Sequence, residues 1–144
     1  VRALEVIAHS GRPFSEQRAK GDGEAAVVVG LQLPREELYS RIDRRVEAMY
    51  AAGLADEVRA LGAAGYASDL PSQRSIGYPE VWRYIAGALT EREAVAATQM
   101  ATHRLARQQA TWFRADDSRI GWVAAGPGAA ERAIAAVTER LNRR

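Results

Sequence analysis

Cysteine is absent from this 144-residue sequence. No disulfide can staple the fold, and no thiolate is available as nucleophile or metal ligand. Histidine is almost absent: His9 and His103 are the only two and stand far apart. A metal site would therefore rest on carboxylates, and no carboxylates stand at ligand spacing. Long apolar runs are missing as well. None approaches the ~18 residues that a membrane span needs, and no signal-peptide pattern opens the chain. The expectation is a cytoplasmic protein without a membrane partner. Lysine is reduced to Lys20, the other 19 cations being arginine, at a net charge of only +2. Arginine forks fit phosphate, yet 29 alanines beside them point equally to the coding bias of a GC-rich genome, so arginine count alone decides nothing.

What is present is ordinary for a folded protein: 47% apolar and 26% charged residues in a length that suits one domain with a real core. The most informative stretch is Pro34 to Gly53. Placed at 100° per residue, Leu38, Ile42 and Met49 fall within about 40° of one another, with Val46 at the margin. Arg45 lands roughly 20° from Leu38, inside that arc, and Arg41 flanks it about 60° away. An inward guanidinium cannot lose its proton, and leaving it buried and unpaired costs roughly 3–5 kcal/mol. Arg45 is therefore expected to meet an anion: a carboxylate of the fold, bulk water reached by snorkelling, or a bound phosphate or diphosphate.

In chain order, Val1 to His9 reads as a helix, with Leu4, Ile7 and Ala8 on one face. Ser10 to Gly23 reads as a loop. Ala25 to Leu33 is a β-branched run expected to form a strand buried on both faces. Pro34 stops it and opens the helix above. Gly53 ends that helix, and Leu54 to Ala64 forms the next, with Gly65 as C-cap. Tyr66 to Tyr78 is partly irregular because of Pro71 and Gly77. Pro79 fits the first turn of a helix with Val81, Trp82 and Ile85 as core, ended by Gly87. Thr90 and Glu93 make a capping box for the longest helix, which reaches about Arg114. Arg119 to Val123 reads as a short strand, and Ile134, Val137 and Leu141 mark a last helix. One strong strand and one weak one are too few for a buried sheet. That shortage and the abrupt start within a helix lead us to expect the C-terminal portion of a larger α/β protein.

Two further arginine sites stand out. The long helix carries no acidic residue from Ala94 to Ala115. Its Arg104, Arg107, Thr111 and Arg114 stack at spacings of three and four into one stripe, either a solvated face or a binding face for phosphate or nucleic-acid backbone. Ala94, Ala101, Leu105 and Trp112 lie on a different face and are expected to pack inward. In Arg74–Pro79 (RSIGYP), Gly77 permits close backbone approach to a ligand and Tyr78 offers a ring for stacking on an unpaired base, unless the loop merely closes onto the core.

Taken together, RALEV (Arg2–Val6), PREELYSRIDRRVEAM (Pro34–Met49), GLADEVRAL (Gly53–Leu61), LPSQRSIGYPEVWRYIAG (Leu70–Gly87) and THRLARQQATWFR (Thr102–Arg114) resemble the tRNA dimethylallyltransferases, also called tRNA isopentenyltransferases, in order and spacing. The resemblance implies a mostly helical α/β chain, the C-terminal part of a P-loop-NTPase-like fold, spanning residues 1–144. It implies transfer of a dimethylallyl group from dimethylallyl diphosphate to N6 of the adenosine just 3′ of the anticodon, with magnesium whose ligands lie outside this chain, in an enzyme that is monomeric at full length. Its partners are the tRNA anticodon stem-loop and the diphosphate. On the resemblance, Arg45 matches the diphosphate-binding arginine, and Arg2, Arg74, Ser75, Ile76, Gly77, Tyr78 and Pro79 match tRNA-contacting positions. Arg41, Arg104, Arg107 and Gln108 are further candidates for phosphate or RNA contact.

The departures are the absent Gly-rich phosphate loop with its Lys and Thr, the absent general base and the absent helical insertion that grips the anticodon stem. Pro79 also stands where the family often has Lys or Arg. The expectation is a chain inactive by itself. Two other classes compete. One is a helix-turn-helix DNA module around Gly53, although Asp56 and Glu57 would then face the groove at the second helix's N-terminal end. The other is a helical module without catalysis.

Overall fold

The computed structural model describes residues 2–12 and 26–142. The expectations for Val1, for the loop over 13–23, for Ala25 and for the Arg2 side chain lie outside the described residues. The elements run α1 (Arg2–Ser10), β1 (Val28–Gln32), α2 (Arg35–Ala51), α3 (Leu54–Ala63), a 3-10 turn (Pro71–Arg74), α4 (Tyr78–Ile85), α5 (Glu91–Trp112), β2 (Ile120–Ala124) and α6 (Ala129–Asn142). The chain is thus α/β and mostly helical, with one two-stranded parallel sheet among the described residues.

The core belongs to the helices. Val46 and Tyr50 of α2, Leu54 and Val58 of α3, Val81 of α4 and Ala94 of α5 form one buried cluster. Val58 and Val81 are wholly enclosed, and burying each such side chain contributes roughly 1.5–3 kcal/mol. Gly53 makes the sharp α2–α3 corner with φ +98°, a conformation open to glycine without strain. At the start of α5 the capping box is as expected. The Glu93 carboxylate accepts from the Thr90 N–H at 2.7 Å, and the Thr90 hydroxyl accepts from the Glu93 N–H at 3.3 Å. Those Thr90 donors hold the Glu93 carboxyl below its ordinary range. One polar bond pins α2 to α5: the Tyr50 and Thr98 hydroxyls lie 3.0 Å apart, both residues buried.

Three expectations fail, each for a packing reason. Arg45 is exposed, not inward. The buried face of α2 is centred on Val46 and Tyr50, with Tyr39, Ile42, Asp43 and Met49 half-buried around them. On a helical wheel that centre lies roughly 100° from Leu38, which leaves Arg45 about 120° away from it. Leu105 and Trp112 do not pack inward. Trp112 is 82% exposed, because α5 outruns the helices that cover Ala94 and Thr98. The β1 strand forms, yet Leu31 is 62% and Val28 43% exposed, since a sheet of two strands cannot cover an apolar run on both faces.

The sheet nevertheless places the site. Gly121 of β2 faces the Arg140 side chain of α6, so α6 covers one face. On the other face Trp122 and Ile120 lie against Gly30 so closely that a Cβ there would meet Trp122 at 2.5 Å. That second face is open to solvent beneath α5.

Candidate active-site groove

An open groove of about 700 Å³ runs along this face. Every residue from Val28 to Arg35 lines it, joined by Leu38 and Tyr39 of α2, by Arg107, Gln109 and Ala110 of α5 with Phe113 just past its end, and by Ile120 and Trp122 of β2. Its floor is apolar and its rim carries two cations, Arg35 and Arg107. It sits where β1 ends and α2 begins, the end of a parallel strand at which open α/β sheets commonly take ligands. Arg35, Phe113 and Trp122 were missed as site residues. The strand–proline–helix junction at Pro34 was the available signal for the first of them.

One side of the groove is braced by a cluster that sequence reading also missed. The Tyr39 ring stacks on the His103 imidazole, centroids 4.1 Å apart and planes 13° from parallel. His103 Nε2 in turn approaches Asp43 Oδ1 to 3.0 Å. This is an ion-pair distance whose angles miss those of a hydrogen bond, and among the described residues neither atom has a hydrogen-bond partner. The pair is ionic only when the imidazole carries its second proton. Gln99 donates to the Asp43 carbonyl at 3.4 Å, adding a second tie between α2 and α5. The i, i+4 spacing of Tyr39 and Asp43 was the legible trace of this brace.

The arginines divide by whether the protein already satisfies them. Arg41 is paired with Glu37 at 2.6 Å, Arg59 with Asp56 at 2.6 Å, and Arg114 grips Asp116 with two bonds of 2.9 Å. Arg119 grips Asp117, which is held down to about 2 chiefly by that side-chain bond. Arg132 and Arg140 donate to main-chain carbonyls. By contrast Arg35, Arg45, Arg74, Arg83, Arg92, Arg104 and Arg107 are exposed and, among the described residues, their side chains have no ion-pair or hydrogen-bond partner. Gln108 is exposed beside them, though neither it nor Arg104 lines the groove. Arg45 lies outside the groove as well, on the Leu38 side of α2 and about 10 Å further along the axis.

In the Arg74–Pro79 segment the residues part ways. Arg74, Ser75 and Ile76 project outward as a continuous exposed run. Gln73 turns in, its side-chain oxygen accepting from the Trp82 indole at 3.1 Å. Gly77 is buried with φ +105°, and its N–H donates to the Glu80 carboxylate at 2.9 Å, so it is engaged in capping α4. Tyr78 and Pro79 are half-buried. The Tyr78 ring packs on the core and its hydroxyl donates to Glu57, which raises the phenol above its ordinary range. Of the two readings of Tyr78, a ring offered for stacking or a loop closed onto the core, the packing of this half-buried ring favours the second. Asp56 and Glu57 are engaged by Arg59 and Tyr78, which leaves the start of α3 acidic and unsuited to a DNA groove.

Residues 1–116 match the family described as IPP transferase. The chain belongs to the IPP transferase family. Among similar IPP transferases, the tRNA dimethylallyltransferase of Streptomyces griseus is 47% identical over 128 residues, covering 88% of this chain and 40% of that protein. That of Thermobifida fusca is 44% identical over 144 residues, covering 99% of this chain and 45% of that protein. Two solved structures are similar. The full-length tRNA isopentenylpyrophosphate transferase from Bacillus halodurans has a TM-score of 0.66 at 35% identity, over 85% of this chain and 37% of the other. The tRNA delta(2)-isopentenylpyrophosphate transferase from Staphylococcus epidermidis has a TM-score of 0.74 at 26% identity, over 99% and 47%. This IPP transferase chain thus spans less than half the length of these relatives. No helix among the described residues is long and apolar enough to cross a membrane. Among the same residues no group of three or more His, Asp or Glu side chains could hold a metal ion.

Proposed function

We propose that this chain is the part of a tRNA dimethylallyltransferase that meets the allylic diphosphate and the tRNA. The observation that carries the reading is that Arg45, Arg74, Arg104 and Arg107, the arginines matched to substrate contacts, are among those whose side chains the described residues leave unpartnered, on a chain of this family. In the reaction, N6 of the adenosine 3′ of the anticodon attacks the allylic carbon. The new N–C bond forms as the C–O bond to diphosphate breaks, the diphosphate leaves with the bonding pair, and the N6 proton passes to a base outside this chain. Negative charge grows on the leaving oxygens, and fixed cations aimed at them lower the barrier. Arg45 takes that role by family likeness. Its exposure removes the argument from an interior cation but leaves the guanidinium free to bind.

Arg74, Ser75 and Ile76, an exposed run, contact the anticodon stem-loop, while Arg104, Arg107 and Gln108 supply further phosphate or RNA contacts. Arg2 and the paired Arg41 are weaker candidates. An unpaired anticodon loop suits the reaction because its adenine leaves the stack at low cost. The chain alone, with neither phosphate loop nor base, is inactive.

The test is anticodon stem-loop binding against salt concentration. Arg74→Ala is expected to weaken binding and reduce the logarithmic salt slope by roughly 1. An unchanged slope removes Arg74 from the RNA contact, and equal affinity for duplex DNA would favour the non-catalytic helical module.

A further inference from the structure

We infer that Gln73 is a positioning residue for the RNA contact, aiming Arg74, Ser75 and Ile76 through its bond to Trp82. From Ala63 to Ile76 every residue is exposed except Gln73, which is 4% exposed. A stretch with one buried residue takes its position from that residue. This anchor is polar, so it fixes direction as well as depth. The Trp82 indole N–H can only donate, and it gives its proton to the Gln73 side-chain oxygen at 3.1 Å. Trp82 is itself firmly seated. Its ring packs on the helical core and lies so close to Gly62 of α3 that a Cβ there would meet it at 2.5 Å.

The local turn converts that bond into an orientation. The Gln73 N–H donates to the Leu70 carbonyl at 2.9 Å, within the 3-10 turn. Successive residues of such a turn point about 120° apart, so holding Gln73 inward directs Arg74 outward. At the far end Gly77 is buried, its N–H bonded to Glu80, and the Tyr78 N–H donates to the Ser75 carbonyl at 3.0 Å. Those contacts belong to the start of α4 and do not involve Gln73. The exposed run from Arg74 to Ile76 therefore hangs between two buried anchors, and Gln73 sets the direction in which it leaves the first. Order that the free protein already holds does not have to be supplied on RNA binding. The inference rests on the reading of Arg74–Ile76 as an RNA contact and deepens it.

The test uses a chimera of the S. griseus enzyme in which the matched 128 residues are replaced by those of this chain. Anticodon stem-loop affinity and prenyl transfer are measured for the chimera, for Gln73→Leu, Trp82→Phe and Arg74→Ala, and for the Q73L/R74A double variant. Gln73→Leu keeps the slot filled and removes the acceptor; Trp82→Phe removes the donor. Loss of that bond predicts stem-loop binding weakened about 2- to 12-fold in either variant. KM for the stem-loop is expected to rise by the same factor, with kcat and KM for dimethylallyl diphosphate unchanged. Because Gln73 acts through the residues it aims, its effect should shrink in the Arg74→Ala background. Additive losses in the double variant, or a diphosphate KM that rises in step with the stem-loop KM, overturn the inference. Should Gln73→Leu not fold, Trp82→Phe decides, since it removes the same bond from the other side. Weakened binding in Arg74→Ala beside unchanged binding in Gln73→Leu refutes the positioning role alone. Unchanged binding in Arg74→Ala removes the RNA contact itself, and the positioning role with it.

Discussion

The Tyr50–Thr98 bond gives the sharpest stability prediction, because its polarity can be worked out. The Thr98 hydroxyl has one proton, which it gives to the Ala94 carbonyl at 2.9 Å. Tyr50 is therefore the donor in the 3.0 Å contact between them. Tyr50→Phe removes a donor and leaves Thr98 still bonded, a loss of about 0.5–1.5 kcal/mol. Thr98→Val instead strands a buried phenol hydroxyl without an acceptor, a cost of about 1–3 kcal/mol. The double variant removes both groups and is expected to be less destabilised than Thr98→Val alone. Urea unfolding of the four chains closes the cycle. Additive, equal losses would refute the donor assignment.

The same Tyr50 gives a pH signature. Burial raises its phenol above the ordinary value of 10. Its contribution is intact below about 10 and declines as pH rises through the folded value, so the wild type is expected to lose ground to Tyr50→Phe there.

Other outcomes follow from particular contacts. Gly30→Ala would set a Cβ 2.5 Å from Trp122, and should destabilise by about 1–3 kcal/mol with a change in tryptophan fluorescence as the ring is displaced into the groove. Gly77→Ala has room, with Leu54 at 3.6 Å, but inherits φ +105° and should cost about 1 kcal/mol or more in urea unfolding. Asp117 titrates at about 2 in the fold, so its contribution is present above about 4 and lost as pH falls through about 2; the gap in thermal midpoint to Asp117→Asn should close across that window.

Much of this architecture was legible in local chemistry. Thr90 and Glu93 announced the start of α5, Gly53 the α2–α3 corner, and Pro34 the change from strand to helix. What was not legible depended on neighbours. On α2 two stripes overlap, Leu38–Ile42–Met49 and Tyr39–Val46–Tyr50, and α3, α4 and α5 decide which is buried. Arg45 changes from interior to exposed with that choice. Trp112 lies on the same face as the buried Ala94, yet the helix has run past its partners by then. The apolar run of β1 correctly signals a strand, but coverage of a strand belongs to the sheet around it. The Tyr39–His103–Asp43 brace joins positions some sixty residues apart, which a one-dimensional pattern does not connect.

The central claim is that free arginines on this chain serve dimethylallyl transfer to tRNA. The most direct measurement follows label from dimethylallyl diphosphate into an anticodon stem-loop, using a chimera of the S. griseus enzyme whose matched 128 residues are replaced by those of this chain, with and without Arg45→Ala. A charge-assisted hydrogen bond is worth about 1.5–3 kcal/mol, so losing one at the transition state predicts transfer slowed roughly 10- to 150-fold. Labelled RNA from the unsubstituted chimera and that slowing in the variant are the expected results. An unlabelled RNA from both, or equal rates from both, would contradict the account.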